Sequence, residues 1–262
     1  MTRKLPPVAA FGHALSSVRD NIGMAFRLAL PWYAIVVPLT LGLYLVLSLA
    51  SGAKPEESPI LNFWITLVAG AVALLSASSI ATNWHRYILR DEVPRGREIL
   101  RIDALVLRYF ANMLLIMLAV LAAMTIIAVP LTLPTALAGL PGLGVFLMAV
   151  IGLPVAGVLF LRLAVKLPAI ALGRTDFHMR QAWKASEGNN LAILGLFVLN
   201  LMVAVLMIAA VLVLHAIFSL FGPAIGMAVE IGAQVAGNWI LTILGITVLT
   251  SLYGFLVENR DF

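Results

Sequence analysis

Glu230 is the most informative charge in this chain. It stands in the nearly apolar stretch between Pro223 and Leu241. Gln234, Asn238 and Thr242 follow at four-residue steps, so the four side chains project from one helical face. An ionisable side chain among apolar residues is costly, and it often marks a substrate, ion or proton path. The plainer reading is a carboxylate wetted at the membrane edge, with Gln234 and Asn238 bonding to other helices. His215 is the obvious partner for Glu230, and an imidazole beside a carboxylate would be proton-responsive. A lone interior histidine is more commonly a satisfied packing residue. Glu230, Gln234, Asn238 and His215 are therefore the candidate intramembrane polar site.

No catalytic constellation accompanies them. The four histidines, at positions 13, 85, 178 and 215, lie far apart, and no His-Glu-x-x-His occurs. There is no nucleophile elbow and no phosphate-binding loop. Gly142-Leu143-Gly144 lacks the third glycine and the preceding strand of a dinucleotide fingerprint. Asp91 and Glu92 share a turn with Arg90, Arg95 and Arg97 and read as a solvated loop. The chain has no cysteine, which rules out disulfides, thiolate catalysis and zinc held by Cys ligands. No catalytic residue, metal ligand or cofactor is assigned, and an enzyme is disfavoured.

The elements that position these residues follow from composition. Hydrophobic residues make up 62% of the chain and charged ones 11%, too few charges for a water-facing surface. The backbone must then satisfy its own hydrogen bonds in helices or a closed barrel. Long Leu/Ala/Val/Ile runs without alternation select helices. Six runs reach the roughly 20 residues a span needs. They are 29–50, 60–82, 111–133, 142–161, 191–221 and 233–257, the fifth long enough to tilt. The first is too long for the core of a cleaved signal, although Ser48-Leu49-Ala50 is faintly cleavage-like. The expected fold is an all-α polytopic bundle forming one membrane domain over 1–262.

Charge sorting sets the orientation. Sixteen of the seventeen Lys and Arg residues fall on the side holding both termini. The other side has Lys54, with Glu56, Glu57 and Glu230. By the positive-inside rule both termini are cytoplasmic. The basic excess thus reflects topology, and nucleic acid is not expected as a partner.

Three segments on the basic side have helical periodicity and read as interfacial amphipathic helices. In the first, Phe11, Leu15, Val18, Ile22 and Phe26 oppose His13, Ser16, Asp20 and Arg27. In the second, Ile99, Ile102, Leu105, Val106 and Tyr109 oppose Arg97, Arg101 and Arg108. In the third, Met179, Ala182, Trp183 and Ser186 oppose Arg180, Lys184 and Glu187. A unit of amphipathic helix, span, short loop and span then recurs over 8–90, 95–172 and 174–258. Asn21, Asn112 and Asn189 or Asn190 mark its junctions. Ala69, Ala73, Ala77 and Ala81 form a small-residue ridge suited to close helix approach. Pro130, Pro134 and Pro154 should kink or end helices. Trp64, Trp84, Tyr87, Trp183 and Tyr253 fall near span ends, as interfacial aromatics do.

Arg97, Arg101, Arg108, Arg162, Lys166, Arg174, Arg180 and Lys184 form the candidate head-group contact surface, by snorkelling or as an anionic-lipid site. The run Arg162-Leu-Ala-Val-Lys-Leu-Pro-Ala-Ile-Ala-Leu-Gly, followed by Gln181-Ala-Trp-Lys and Glu187-Gly-Asn, resembles bacterial six-span inner-membrane proteins of the YciC-like type. These are similar to the membrane domain attached to some glycerophosphodiester phosphodiesterases. The resemblance implies a bacterial inner-membrane location. It carries over no catalytic residue, because the phosphodiesterase chemistry belongs to a separate soluble domain. The leading expectation is an accessory or scaffold protein that engages anionic lipids or a second membrane protein. The alternative is a carrier for an amphiphile or small solute, with its polar site around Glu230.

Overall fold

A computed structural model describes residues 3–51 and 58–262. Lys54, Glu56 and Glu57, expected in the first outer loop, lie outside the described residues. Helices are the regular structure of the described chain, and no strand occurs among its described residues. Its elements are α1 (Pro7–Asp20), α2 (Ile22–Ser51), α3 (Pro59–Arg90), α4 (Ala104–Leu137), α5 (Pro141–Leu147), α6 (Leu153–Ala164), α7 (Lys166–Ala171), α8 (Met179–Ala185), α9 (Asn190–Ser219) and α10 (Pro223–Leu256). Six stretches are long and apolar enough to cross a bilayer: Ile22–Leu49, Pro59–Arg90, Gly96–Leu137, Pro141–Ala171, Asn190–Ser219 and Pro223–Leu256. The chain is a multi-pass helical membrane protein, as composition requires.

Local chemistry explains the breaks. Ser58 caps α3 by accepting from the Leu61 amide, and Pro59 occupies the first turn, where no amide hydrogen is needed. Asp91 ends α3 in the left-handed region, at φ 55°. Asp103 caps α4, its Oδ1 accepting the amides of Leu105 and Val106 at 3.0 Å each. This cap divides the second expected amphipathic helix. Gly96–Leu100 forms a short 3-10 turn, Arg101–Asp103 is extended, and Leu105, Val106 and Tyr109 start the span. Pro154 follows a π-helical segment, Met148–Gly152, at the start of α6. Pro168 cannot bond back to Ala164, and the chain breaks at Val165 between α6 and α7. Pro130 and Pro134, by contrast, are carried within one continuous α4.

The core sits at the basic end. It is built chiefly from the second half of α3, Leu167–Ala171 of α7, the second half of α10 and one face of α1, with residues of α2, α4, α6 and α9 closing it. On α10, Ile243, Leu244 and Ile246–Phe255 are buried. Short polar residues let these helices approach closely, and they satisfy their hydroxyls within their own helix. Ser78 donates to the Leu74 carbonyl, Thr82 to Ser78, Thr247 to Ile243 and Thr250 to Ile246. Trp84 and Tyr253 lie fully inside this core, which corrects their reading as interfacial aromatics. Trp84 packs near the Tyr87 ring and Tyr253 meets the edge of Phe177. The other ends of the long helices expose Leu, Ile and Val all round, as lipid-facing surfaces do.

α1 packs on α10 and α9 through Ala10, Phe11 and Ala14, a face of smaller residues than the one expected. Leu15 and Val8 point outward, and Ile22 and Phe26 belong to α2. Both termini meet at the basic end. Arg3 lies 3.8 Å above the Phe255 ring, donates to the Arg260 carbonyl and pairs with Asp261. The Asn189 side chain clamps the N-terminal segment, accepting from the Leu5 amide and donating to the Arg3 carbonyl.

The junction asparagines hold returning chain ends. Asn21 accepts from the Tyr87 hydroxyl at 2.7 Å, Asn112 from the Lys166 ammonium at 2.6 Å and Asn190 from Arg162 at 2.9 Å.

Candidate functional site

The turn 220–222 brings the last turns of α9 against the first turns of α10. Gly222 adopts φ 132°, and a Cβ at Gly226 would run into Ser219. This close approach sets His215 beside Glu230, with Nδ1 2.8 Å from Oε2. The carboxylate lies off the line of the ring N–H, so the contact is a close approach rather than an aligned hydrogen bond. The other oxygen, Oε1, accepts from Gln234 Nε2 at 2.8 Å, and His215 Nε2 lies 3.4 Å from Ser219 Oγ. The side chains of His215 and Glu230 are 42% and 31% exposed, so the cluster is half-open. Three of the four candidate polar residues thus form one chain of contacts.

Asn238 is the exception. It sits two turns further along α10, about 12 Å from Glu230 along the axis. Its Oδ1 accepts a 2.6 Å hydrogen bond from the Tyr33 hydroxyl of α2. The next residue of α10, Trp239, stacks on Phe26 of α2, with ring centroids 4.1 Å apart. These side-chain bridges join α2 to α10 across a gap, while α2 packs its length on α3.

That gap is a cleft of about 460 Å³ between α2, α3 and α10. Tyr33, Thr40, Ser76, Gln234, Asn238 and Thr242 give it polar points, and its other walls are apolar. Gln234 and Asn238 also line a groove of about 340 Å³ between α9 and α10, which Glu230 borders. A third cleft, about 370 Å³, lies on the other side of the α3–α10 seam. Met113, Phe160 and Phe197 supply much of its wall. The alanine ridge of α3 contributes to two of these spaces: Ala73 and Ala77 to the first, and Ala77 and Ala81 to the third. Its small side chains leave room there instead of closing it.

The candidate basic surface divides in two. Arg162 is buried, 6% exposed, and each of its three guanidinium nitrogens has a partner. It donates to Ser186 Oγ, Asn190 Oδ1 and the Trp183 carbonyl, and it lies 3.6 Å above the Trp183 ring. Lys166 is held by Asn112, and Arg101 pairs with Asp103. Arg174 bonds Asp176 and the Tyr253 hydroxyl. Those bonds raise the Arg174 pKa above its ordinary value and hold Asp176 below the usual carboxylate range. Arg97, Arg180 and Lys184 are exposed and Arg108 is half-buried, and none of these four has a polar partner among the described residues.

Sequence reasoning missed a buried polar cluster. His85 is fully buried in α3, with Nδ1 2.8 Å from Thr250 Oγ1 and Nε2 3.2 Å from the Tyr109 hydroxyl. The adjacent Ser251 hydroxyl meets His13 Nδ1 at 2.9 Å. Burial lowers the His13 pKa below its ordinary value. Helical periodicity does place Thr247, Thr250 and Ser251 near one another, but nothing local marks His85 as their partner. Among the described residues, no group of three or more His, Asp or Glu side chains is placed to hold a metal. In comparisons with known proteins, the chain matches no family model, no curated protein and no solved structure.

Proposed function

We propose that this protein is a non-enzymatic membrane protein that takes an amphiphile from the surrounding bilayer into the cleft between α2, α3 and α10. One observation carries the reading. The cleft is about 460 Å³, within the roughly 300–1,000 Å³ range of small-molecule sites. It combines apolar walls with the Tyr33–Asn238 pair, Gln234 and Thr242, in helices whose outer faces are lipid-like. An apolar pocket with a few converging polar groups is the usual form of a ligand site.

The accessory role fits the opposite end. There Arg97, Arg108, Arg180 and Lys184 are free to meet anionic head groups, while Arg101, Arg162, Lys166 and Arg174 act inside the protein. Val8 and Leu15 on the outer face of α1 suit a seat at the same interface. The positive-inside pattern supports a cytoplasmic place for this end, and the YciC-like resemblance supports a bacterial inner membrane. The carrier reading is the second one, and the half-open Glu230–His215 pair favours it.

Mass spectrometry of the protein extracted in native-lipid nanodiscs tests the proposal, against a membrane protein of similar charge. A lipid enriched on the wild type and depleted at least fivefold in Asn238→Leu supports it. Equal lipid profiles for the two proteins would overturn it. A stoichiometric protein partner without lipid enrichment would move the function to a scaffold.

A further inference from the structure

Two cations of the basic end stand together without a counter-charge. Asn112 lies one turn beyond Arg108 on α4, so their side chains leave the helix on one face. The Asn112 amide is held on both sides. Its Nδ2 donates to the Arg108 carbonyl at 2.8 Å, and its Oδ1 accepts from the Lys166 ammonium of α7 at 2.6 Å. Lys166 is thereby drawn to the Arg108 face of α4, where the two positive charges oppose one another. No Asp or Glu among the described residues pairs with either. Asp103, at the start of the same helix, caps α4 and pairs with Arg101. Glu187 acts on Arg162.

The pair also has unused donors. An ammonium carries three N–H bonds and a guanidinium five. The bond to Asn112 ties α7 to α4 and takes one of the Lys166 donors. The rest of that group, and the whole Arg108 guanidinium, meet no acceptor among the described residues. Both residues are half-buried, so water reaches them only from one side. Like charges brought together and partly stripped of water are costly unless an anion joins them. The neighbours indicate which anion. Leu107, Leu114, Leu115 and Leu118 of α4 are exposed, an apolar surface suited to acyl chains. A phosphate held beside that surface is the head of a lipid. The Arg108 fork can take two of its oxygens, and the Lys166 point charge a third.

We propose that Arg108 and Lys166 form a discrete site for the phosphate of one anionic phospholipid, its acyl chains lying along the outward leucines of α4. This rests on the accessory role, in which the basic end meets anionic head groups, and narrows that contact to one lipid on two named residues. It is separate from the cleft between α2, α3 and α10, whose lining includes neither residue. Asn112 offers a clean probe. Asn112→Asp keeps the shape of the side chain and supplies a carboxylate to both cations, so it takes the place of the lipid phosphate.

The test is native mass spectrometry of the full chain, titrated with phosphatidylglycerol or with phosphatidylcholine of the same chains. The wild type should hold one phosphatidylglycerol more tightly than any further copy and more tightly than phosphatidylcholine. Arg108→Gln and Lys166→Gln should each weaken that first binding by roughly tenfold, the worth of one hydrogen bond to a charged group. Arg97→Gln and Arg180→Gln, which neutralise exposed cations elsewhere at the basic end, should leave it unchanged. Asn112→Asp should abolish it while keeping or raising the thermal midpoint, which separates loss of the site from loss of the fold. Soluble glycerol phosphate should not compete, and full competition by it would overturn the lipid as the source of the phosphate. Tight phosphatidylglycerol binding that survives in Asn112→Asp overturns the site. Equal losses from all four Gln variants would also overturn it, leaving a diffuse basic surface that still meets head groups. If the wild type does not prefer phosphatidylglycerol to phosphatidylcholine at all, the accessory role fails with it.

Discussion

Arg162 illustrates how a charge near a membrane surface can serve the inside of a protein. Its three hydrogen bonds and its stack on Trp183 tie α6 to α8 and to the start of α9. A guanidinium makes such contacts as a rigid fork, which an ammonium cannot reproduce. Arg162→Lys is therefore expected to lose about 1.5–3 kcal/mol, the worth of a hydrogen bond to a charged group. Arg162→Ala should lose at least as much, read as a fall in midpoint in detergent denaturation. An Arg97→Ala control should stay within about 0.5 kcal/mol, as exposed substitutions do. His13 gives a pH-dependent expectation. Its folded pKa lies below its ordinary value of about 6.5 because burial disfavours the imidazolium. The stability tied to neutral His13 is then present above about pH 6.5 and is lost as pH falls towards its folded pKa. Thermal midpoints should drop between pH 7.5 and 5.5, and His13→Gln should flatten part of that slope. An unchanged slope in the variant would remove His13 as a contributor. At this scale the sequence was partly readable. Glu230 and His215 stand on either side of a Gly-containing turn, so their meeting follows from a helical hairpin. The use of Arg162 could not be foreseen, because a snorkelling arginine and a buried one occupy the same place in the sequence. What separates them is the distant set Trp183, Ser186 and Asn190.

Element boundaries follow capping chemistry more closely than hydrophobic periodicity. The apolar pattern from Ile99 to Tyr109 has the spacing of one helix, yet the Asp103 carboxylate accepts two amides and starts α4 afresh. An Asp immediately ahead of an apolar run is itself a start signal, so this break was legible but outweighed by periodicity. The six spans were legible because hydrocarbon tolerates so few alternatives. Side-chain packing between helices was not. Gly157 of α6 and Gly232 of α10 look alike in sequence, but a Cβ at Gly157 would enter the Phe197 ring of α9, whereas one at Gly232 meets open space. Gly157→Ala should therefore be destabilising through the forced separation of α6 and α9, by about 1–3 kcal/mol as for other overpacked sites. Gly232→Ala should be neutral or stabilising, by up to about 1 kcal/mol from helix propensity. Denaturation midpoints of the two variants, side by side, test whether close approach or propensity decides at each position. Equal effects would show that the α6–α9 contact has slack.

At the scale of the whole molecule, two asymmetries coincide. The packed core and nearly all the basic side chains share one end, where Arg3, Asn189, Leu89 and Arg260 knit both termini to the helix ends. The opposite end is more loosely packed, and the α2–α3–α10 cleft and the α9–α10 groove open towards it, while the third cleft reaches the core residues Tyr109, Leu161, Ile246 and Leu249. Such a division suits a protein that is anchored at one leaflet and admits a lipid from within the bilayer. It also makes orientation a sharp question, because the positive-inside rule counts basic residues near span ends and is indifferent to what they bond. Several of these side chains are engaged within the protein, yet they still sit at one end and should still direct insertion. The absence of native cysteine allows a direct measurement. Leu140→Cys lies in the short turn between α4 and α5 and is exposed, and Phe262→Cys lies in the tail beside His13. A membrane-impermeant maleimide applied to bacterial spheroplasts should label Leu140→Cys and spare Phe262→Cys until the membrane is opened. The reverse pattern would invert the protein, placing Arg97, Arg108, Arg180 and Lys184 at the outer leaflet. Labelling of both sites in sealed spheroplasts would break the six-span path, since three spans separate Leu140 from Phe262 and an odd number of crossings puts them on opposite sides.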